Sequence, residues 1–365
     1  MTPAPVPDDW FSMQTVRAQL CEPNGDPAEH RIQIRTNPIT GRTSRIAFSR
    51  INEKEAGTDI LPPPPPDARN REQCPFCRPQ VLKRTPRLIP QIHPAGRMTR
   101  GDALLFPNLF PYGAYSAVSL FDDTHFVEIG RASQRSYADC LINCADYLRR
   151  VKRHDPGATC MAITQNHLPS AGGSMVHPHL QIQGDCVAAN HHRFLHERAK
   201  FHFEATGRGL LGDYVAHETR NGERVIGRTG HWIWQAAFAP EGFFEIWAVY
   251  PGITSLLGLD ENDWHHLATG MIRVQRLYRS LHRNGYNFGL ITVETPQSAL
   301  ELRAVMVVRS NYAAWVRSDY TGFEVMLGDM TTFSAPEETA RLAREFWPES
   351  HRWPTKRHQG KFSHS

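Results

Sequence analysis

The run His177-Pro178-His179-Leu180-Gln181-Ile182-Gln183-Gly184 alternates polar and apolar residues, the pattern of a strand with one face toward a core. On such a strand His177, His179 and Gln181 share a face. That layout suits a histidine nucleophile with support on both sides. Standing alone, a His-x-His could equally be structural or bind a metal.

Outward from this strand the chain runs through two similar cycles. In the first, Tyr115 to Phe121 reads as a strand, Ser133 to Lys152 as a helix, and Ala158 to Gln165 as a strand leading to the histidines. In the second, Phe243 to Tyr250 is a strand. A helix opens near Asp260, with Trp264, Leu267, Met271, Val274 and Tyr278 on one face, and stops at Gly285. Strands from Tyr286 to Glu294 and from Leu302 to Val308 follow. The last takes the place of the histidine strand but reads Leu302-Arg303-Ala304-Val305-Met306. The pattern is an internal duplication of a sheet-plus-helix unit, in which only the first copy keeps the histidine strand.

At 365 residues and 40% hydrophobic composition the chain has ample core for two domains or one large one. No segment approaches the length of a membrane span. Met1 to Gln19 carries Pro, Asp and Arg where a signal peptide needs an apolar run, so a cytoplasmic setting is expected. The net charge is only +4, with positive residues scattered except in the tail from His351 to Ser365. Neither an aromatic-basic stripe nor a nucleic-acid recognition motif is present.

Seven cysteines without an export signal point to thiols and a metal rather than disulfides. Cys74-Pro75-Phe76-Cys77 puts two thiolates on one tight turn, half of a four-ligand zinc site, although a redox or plain buried role suits a lone pair as well. Cys140 and Cys144, four apart on the first helix, read as core cysteines. His191, His192 and His196 read as a solvated helix face. Gly207 to Gly212 matches a dinucleotide fingerprint in spelling alone, because no strand precedes it.

The His-Pro-His-x-Gln pattern resembles the active-site strand of the galactose-1-phosphate uridylyltransferases, a branch of the histidine-triad superfamily. Asn166 and Ser174, eleven and three residues before His177, keep the family's spacing. Asn37-Pro38-Ile39-Thr40-Gly41 is similar to the family's Asn-Pro-Leu-Thr-Gly turn, and Arg50 falls where the family has a substrate-phosphate arginine. Phe106-Pro107-Asn108-Leu109-Phe110-Pro111 is similar to its nucleotide-binding loop, and Gly322-Phe323-Glu324 resembles the Gly-Tyr-Glu that touches the hexose. The likeness runs from residue 31 to 345 in family order.

The resemblance implies an α+β fold of two tandem histidine-triad-like half-barrels, each an antiparallel-rich sheet backed by helices. Residues 1–30 would be a mobile arm, 31–190 the unit with the nucleophile strand and zinc site, 191–345 a unit without a nucleophile, and 346–365 a basic tail. It implies an enzyme whose His179 attacks the α-phosphorus of a nucleotide-sugar, after which a sugar 1-phosphate takes the nucleotidyl group from the histidine. The other ring nitrogen of His179 would be held by a backbone carbonyl. Gln181 and Ser174 would donate to phosphoryl oxygens, while Arg50, Asn108, Asn166 and Glu324 bind substrate. His125 and His177 would join Cys74 and Cys77 in one closed structural zinc site. A homodimer sharing active-site parts across subunits is implied as well, with neither nucleic acid nor membrane as partner.

Gln181 bears on reaction type. Hydrolase branches of the superfamily place a third histidine there to protonate a poor leaving group, whereas a sugar phosphate leaves as a stable anion. An amide therefore favours transfer or phosphorolysis, including a version with inorganic phosphate and an ADP- or GDP-sugar. A non-catalytic nucleotide-binding module on the same scaffold is the rival reading, and the retained His179 argues against it. Three departures stand out. Arg303-Ala304-Val305 occupies the place of the family's second metal-binding His-x-His, so no second metal is expected. Glu53, next to Lys54, replaces a second phosphate arginine, and Met330 takes the place of a sugar-contacting Gln.

Overall fold

A computed structural model describes residues 10–47, 61–311 and 318–354. Strands β1 (Met13–Cys21), β2 (Pro27–Thr36) and β3 (Thr43–Ala47) come first. Helix α1 (Gln80–Arg84) precedes β4 (Met98–Arg100), β5 (Ala103–Pro107) and β6 (Tyr115–Leu120); helix α2 (Gln134–His154) then leads to β7 (Cys160–His167) and β8 (His179–Asp185). After α3 (Asn190–Thr206) and α4 (Leu210–Asn221) come β9 (Val225–Thr229), β10 (Trp232–Ala236), β11 (Phe243–Tyr250), α5 (Glu261–Ser280), β12 (Gly285–Val293) and β13 (Leu302–Arg309). Helix α6 (Gly322–Leu327), β14 (Met330–Thr332) and α7 (Pro336–Arg344) follow.

The main sheet runs β4-β5-β6-β8-β7-β12-β13-β11-β10-β9. Read inward from either edge, both halves have one topology: three strands in a meander, then the fifth of the unit, then the fourth. Helices α2 and α5 occupy equivalent places in the two units, so the duplication seen in the sequence is the symmetry of the sheet. The halves are fused, because β7 and β12 pair antiparallel from Tyr286↔His167 to Val293↔Cys160. One continuous antiparallel sheet thus underlies both half-barrels.

Local chemistry accounts for the key elements. Ser133 caps α2 by accepting from the Ser136 amide, and Lys152, Arg153 and His154 suit the negative end of the helix dipole. Tyr137, Leu141, Cys144, Leu148 and Val151 make its buried stripe. Leu180 and Ile182 of β8 join the same core cluster, which leaves the odd-numbered residues His179, Gln181 and Gln183 on the opposite face. Helix α5 begins with a capping box between Asp260 and Asp263. No helix among the described residues is long and apolar enough to cross a membrane.

Three sequence expectations differ from what the chain adopts. From Met13 onward the expected arm is a hairpin, with β1 paired to β2 from Met13↔Arg35 to Cys21↔Pro27. It belongs to a second sheet, β1-β2-β3-β14, in which β14 is parallel to β3. Strand β1 is exposed along almost its whole length, so its backbone ladder holds it without the apolar alternation that would reveal a strand. The expected tail is packed in its described part: Trp347 is buried against Trp234, and the Trp353 amide donates to the Ile226 carbonyl at 3.1 Å. His192 is buried rather than solvated, and its Nε2 donates to the Met161 carbonyl at 3.0 Å.

Candidate active site and metal centre

His179 is the first residue of β8, opposite Leu120. Its Nδ1 lies 2.7 Å from the carbonyl oxygen of His177. A carbonyl can only accept, so Nδ1 carries the proton and Nε2 keeps its lone pair. The residue is 6% exposed, and burial pushes its pKa down, which keeps the imidazole neutral. The ring of Phe76 meets it edge-on, with centroids 5.4 Å apart and planes at 76°. Tautomer and charge together leave Nε2 with a free lone pair.

Phe76 comes from the turn that carries Cys74 and Cys77. The ligand atoms of Cys74, Cys77, His125 and His177 lie within 4.8 Å of one another, and all four residues are buried. Cys77 Sγ is 3.3 Å from His125 Nδ1 and 3.4 Å from His177 Nδ1, and Cys74 Sγ is 3.9 Å from His177 Nδ1. A four-coordinate ion about 2.3 Å from sulfur and about 2.0 Å from nitrogen requires S···N separations of roughly 3.5 Å. The outer nitrogens are committed: His125 Nε2 donates to the Asp67 carbonyl at 2.8 Å and His177 Nε2 to that of Asp122 at 3.1 Å. Both Nδ1 lone pairs therefore face the cluster. Burial, then the neighbouring Cys74, pushes the Cys77 thiol up to about 12, so thiolate at neutral pH requires a cation. The donor set fits a metal ion. His177 precedes β8 rather than lying on it; its ring serves the cluster while its carbonyl holds His179.

On the strand face that carries Gln181, Asn166 of β7 donates Nδ2 to Gln181 Oε1 at 3.5 Å. Asn287, opposite Asn166 on β12, donates to Asn166 Oδ1 at 2.7 Å and to the Ala171 carbonyl at 2.8 Å. Arg309 Nη1 donates to Asn287 Oδ1 at 2.8 Å and is itself held by both oxygens of Asp319, at 2.8 and 2.9 Å. Tyr286 donates to Gln165 Oε1 at 3.0 Å, and Tyr137 bonds the same atom, which anchors β7 beneath Asn166. Gly173 lets the loop that carries Ser174 lie close, since a Cβ there would meet the Asn166 carbonyl at 2.8 Å.

The other expected site residues are placed unevenly. Ser174 is exposed on the loop before β8. Asn108 opens the β5–β6 loop, its side-chain oxygen accepting from the Phe110 amide at 3.2 Å, and Phe110 and Tyr112 of that loop are exposed. Arg50 lies outside the described residues. Glu324 caps α6: its carboxylate accepts from the Thr321 amide at 2.8 Å and from the Thr331 hydroxyl at 2.5 Å. Burial raises its pKa, but the hydrogen bonds from Thr321 and Thr331 outweigh that and hold it at about 2. Glu324 and Met330 line a cavity of about 530 Å³ floored by Arg303, Val305 and Val307 of β13. The cavity reaches Gly289 and Ile291 of β12, two strand spacings or roughly 10 Å from β8, and His179 is not among the residues that line it.

Sequence reading missed Phe76, Asn287, Arg309 and Asp319. Asn287 had a signal, an amide on the strand equivalent to that of Asn166, yet its use depends on β7 and β12 being neighbours.

No protein-family model matches the chain. An uncharacterised protein of Archaeoglobus fulgidus is 28% identical over 330 residues, covering 89% of this chain and 95% of its own. The ADP-glucose phosphorylase of Arabidopsis thaliana is 24% identical over 359 residues, covering 88% of this chain and 95% of its own. A galactose-1-phosphate uridylyltransferase of Streptomyces lividans is 27% identical over 243 residues, covering 63% of this chain and 59% of its own. Among solved structures, the Arabidopsis ADP-glucose phosphorylase with bound ADP-glucose superposes with a TM-score of 0.66 at 20% identity over 86% of this chain and 99% of that one. A uridylyltransferase superposes with a TM-score of 0.63 at 18% identity, again over 86% of this chain and 97% of that one. In sequence the chain is thus similar to an ADP-glucose phosphorylase and to galactose-1-phosphate uridylyltransferases, and it shares the fold of solved members of both.

Proposed function

We propose that the chain is a nucleotidyltransferase that moves a nucleoside monophosphate from a nucleotide-sugar to a phosphate-bearing acceptor by way of His179. The observation that carries this reading is the His177 carbonyl on His179 Nδ1, which leaves Nε2 unprotonated on the strand face that also presents Gln181. Nε2 attacks the α-phosphorus, a P–N bond forms, and the P–O bond to the sugar 1-phosphate breaks, releasing that group as an anion. The positive charge left on the ring is shared with Nδ1–H, which the His177 carbonyl solvates. An acceptor phosphate oxygen then attacks the same phosphorus and the P–N bond breaks. Gln181 and Ser174 donate to the phosphoryl oxygens, Asn166 orients Gln181, and Arg50 and Asn108 bind the nucleotide's phosphates and its flank.

We assign one structural zinc to Cys74, Cys77, His125 and His177. Bound there, it would brace the turn whose Phe76 lies against His179. In a homodimer the cavity of Glu324, which His179 of the same chain does not line, would serve the partner subunit.

A second reading, phosphorolysis with inorganic phosphate as acceptor, is favoured by Met330, which puts a thioether where a sugar hydroxyl needs a polar partner. The ADP-glucose phosphorylase relative, aligned over nearly the whole chain, supports it. Incubation with radiolabelled nucleotide-sugars and no acceptor tests the common mechanism. Acid-labile, base-stable label on His179 is expected; label on serine, or none at saturating donor, rules it out. Chasing the labelled protein with phosphate or with sugar 1-phosphates then separates the two acceptor readings.

A further inference from the structure

We infer that Arg309 and Asn287, both from the half without the nucleophile, set which end of the Gln181 amide faces the reacting phosphate. Amides can be placed in either of two orientations, so the polarity of such a chain must be decided by a group that cannot turn round. Arg309 is that group, since a guanidinium only donates. It is held by a two-point pairing with Asp319, whose Oδ2 also accepts from the Ser310 amide at 3.0 Å.

From Arg309 each step follows. Its Nη1 donates to Asn287, so Asn287 must present Oδ1 to it and Nδ2 to Asn166. The Ala171 carbonyl, an obligate acceptor 2.8 Å from Asn287 Nδ2, enforces the same orientation independently. Asn166 therefore presents Oδ1 to Asn287 and Nδ2 to Gln181. Gln181 accepts on Oε1, which leaves its Nε2 hydrogens pointing away from the relay; Nε2 has no hydrogen-bond partner among the described residues, and the side chain is part-exposed. A phosphoryl oxygen needs a donor there, and the reversed amide would offer it a repelling carbonyl. Arg309 and Asn287 are positioning residues. The inference rests on the nucleotidyl-transfer reading above, and it gives the second half a role in the first half's chemistry.

The decisive variant is Asn287→Asp, which keeps the shape of the side chain but offers only acceptors. Asn166 must then turn its Nδ2 toward residue 287, Gln181 must donate to Asn166, and the Gln181 oxygen faces the phosphate. Asn287→Ala removes the link without reversing it. The expected result is a kcat loss for Asn287→Asp on the order of 10²-fold, as for removal of one oxyanion donor, with KM for the nucleotide-sugar little changed and a smaller loss for Asn287→Ala. A purely structural role can give the same order, because the new carboxylate would also face the Ala171 carbonyl, so a third variant separates the two. The added charge is controlled by Asn287→Asp combined with Asn166→Ala: once the link is cut, the double variant should lose no more than Asn166→Ala alone.

Side-chain amide exchange by NMR reads the polarity without any turnover. Gln181 NH2 should exchange freely in the wild type and become protected in Asn287→Asp, while Asn287 NH2 is protected in the wild type. A milder Asn287→Asp than Asn287→Ala, or a Gln181 NH2 already protected in the wild type, overturns the assignment. A wild type that never labels His179 would instead defeat the transfer reading, and the exchange pattern would still decide the amide polarity.

Discussion

The two halves of the sheet share a topology but are held and used differently. The first is stapled at its edge by Cys74, Cys77, His125 and His177, and this cluster supports His179 through Phe76 and the His177 carbonyl. The second is stapled by buried charge. Glu337 bonds Arg35 at 2.9 Å and Arg224 at 2.7 Å, and Arg224 also bonds Glu218 at 2.9 Å. Where the first half has its histidine strand, the second has Arg303, whose guanidinium lies 4.4 Å above the ring of Trp247. A duplicated fold thus carries a buried Cys/His cluster beside His179 in one copy and a cavity in the other. The lesson is that topology carries over while function follows a few side chains.

The sharpest way to break this contrast is to exchange roles at the equivalent strands. His179→Ala should lower transfer on the order of 10⁴-fold or more and abolish covalent label while nucleotide binding persists. Arg303→Ala should leave labelling of His179 intact. If Arg303→Ala removed the label as well, the two strands would share the chemistry and the contrast would fail.

The staples can be separated next. Cys74→Ser or Cys77→Ser should cost more than about 4 kcal/mol, because loss of a closed metal site removes folding energy directly. Elemental analysis and denaturant unfolding should show metal and stability falling together. Metal fully retained in the double serine variant, or two ions per wild-type chain, would contradict a single closed site.

A smaller effect probes the cavity over the second half. Met330→Gln should improve use of galactose 1-phosphate by roughly one to two powers of ten, the value of about 1–3 kcal/mol for pairing a hydroxyl that now meets a thioether. Steady-state kinetics with galactose 1-phosphate and phosphate would check it. A wild type that already prefers galactose 1-phosphate over every alternative would show that this cavity does not select the acceptor.

The charge staple predicts a pH dependence that one carboxylate carries. Burial raises the Glu337 pKa, but hydrogen bonds and charge from Arg35, then Arg224, outweigh it and hold the group at about 2. A carboxylate held below its ordinary value stabilises the fold above the ordinary carboxylate range and loses that contribution as pH falls toward the folded value. The melting-temperature gap between wild type and Glu337→Gln should therefore be widest near neutral pH and close between about pH 4.5 and 2. A constant gap over that range would mean that Glu337 acts by packing alone.

Much of the site was legible because it depends on local pattern. Strand alternation and the offsets of Asn166, His177 and Gln181 lie within one stretch of chain, and β7, β8 and the loop between them present these residues without a distant partner. The hairpin of β1 and β2 was not legible, since β1 is exposed and its ladder depends on backbone groups that every residue has. Asn287 and Arg309 escaped for another reason: Asn287 reaches Asn166 across 121 positions, through a strand pairing that neither sequence segment specifies.

The sequence by itself determined the two cycles, the histidine strand, the paired cysteines and the absence of histidines from the equivalent strand of the second copy. These follow from side-chain periodicity and residue type, which are properties of short segments. Only the tertiary structure decided that β7 and β12 join the halves, that the His177 carbonyl fixes the His179 tautomer, that Glu324 lines a cavity that His179 does not, and that Arg309 bonds Asn287 in the relay to Gln181. Hydrogen-bond polarity and strand adjacency depend on which groups meet in space, and that is set by the packing of the whole chain.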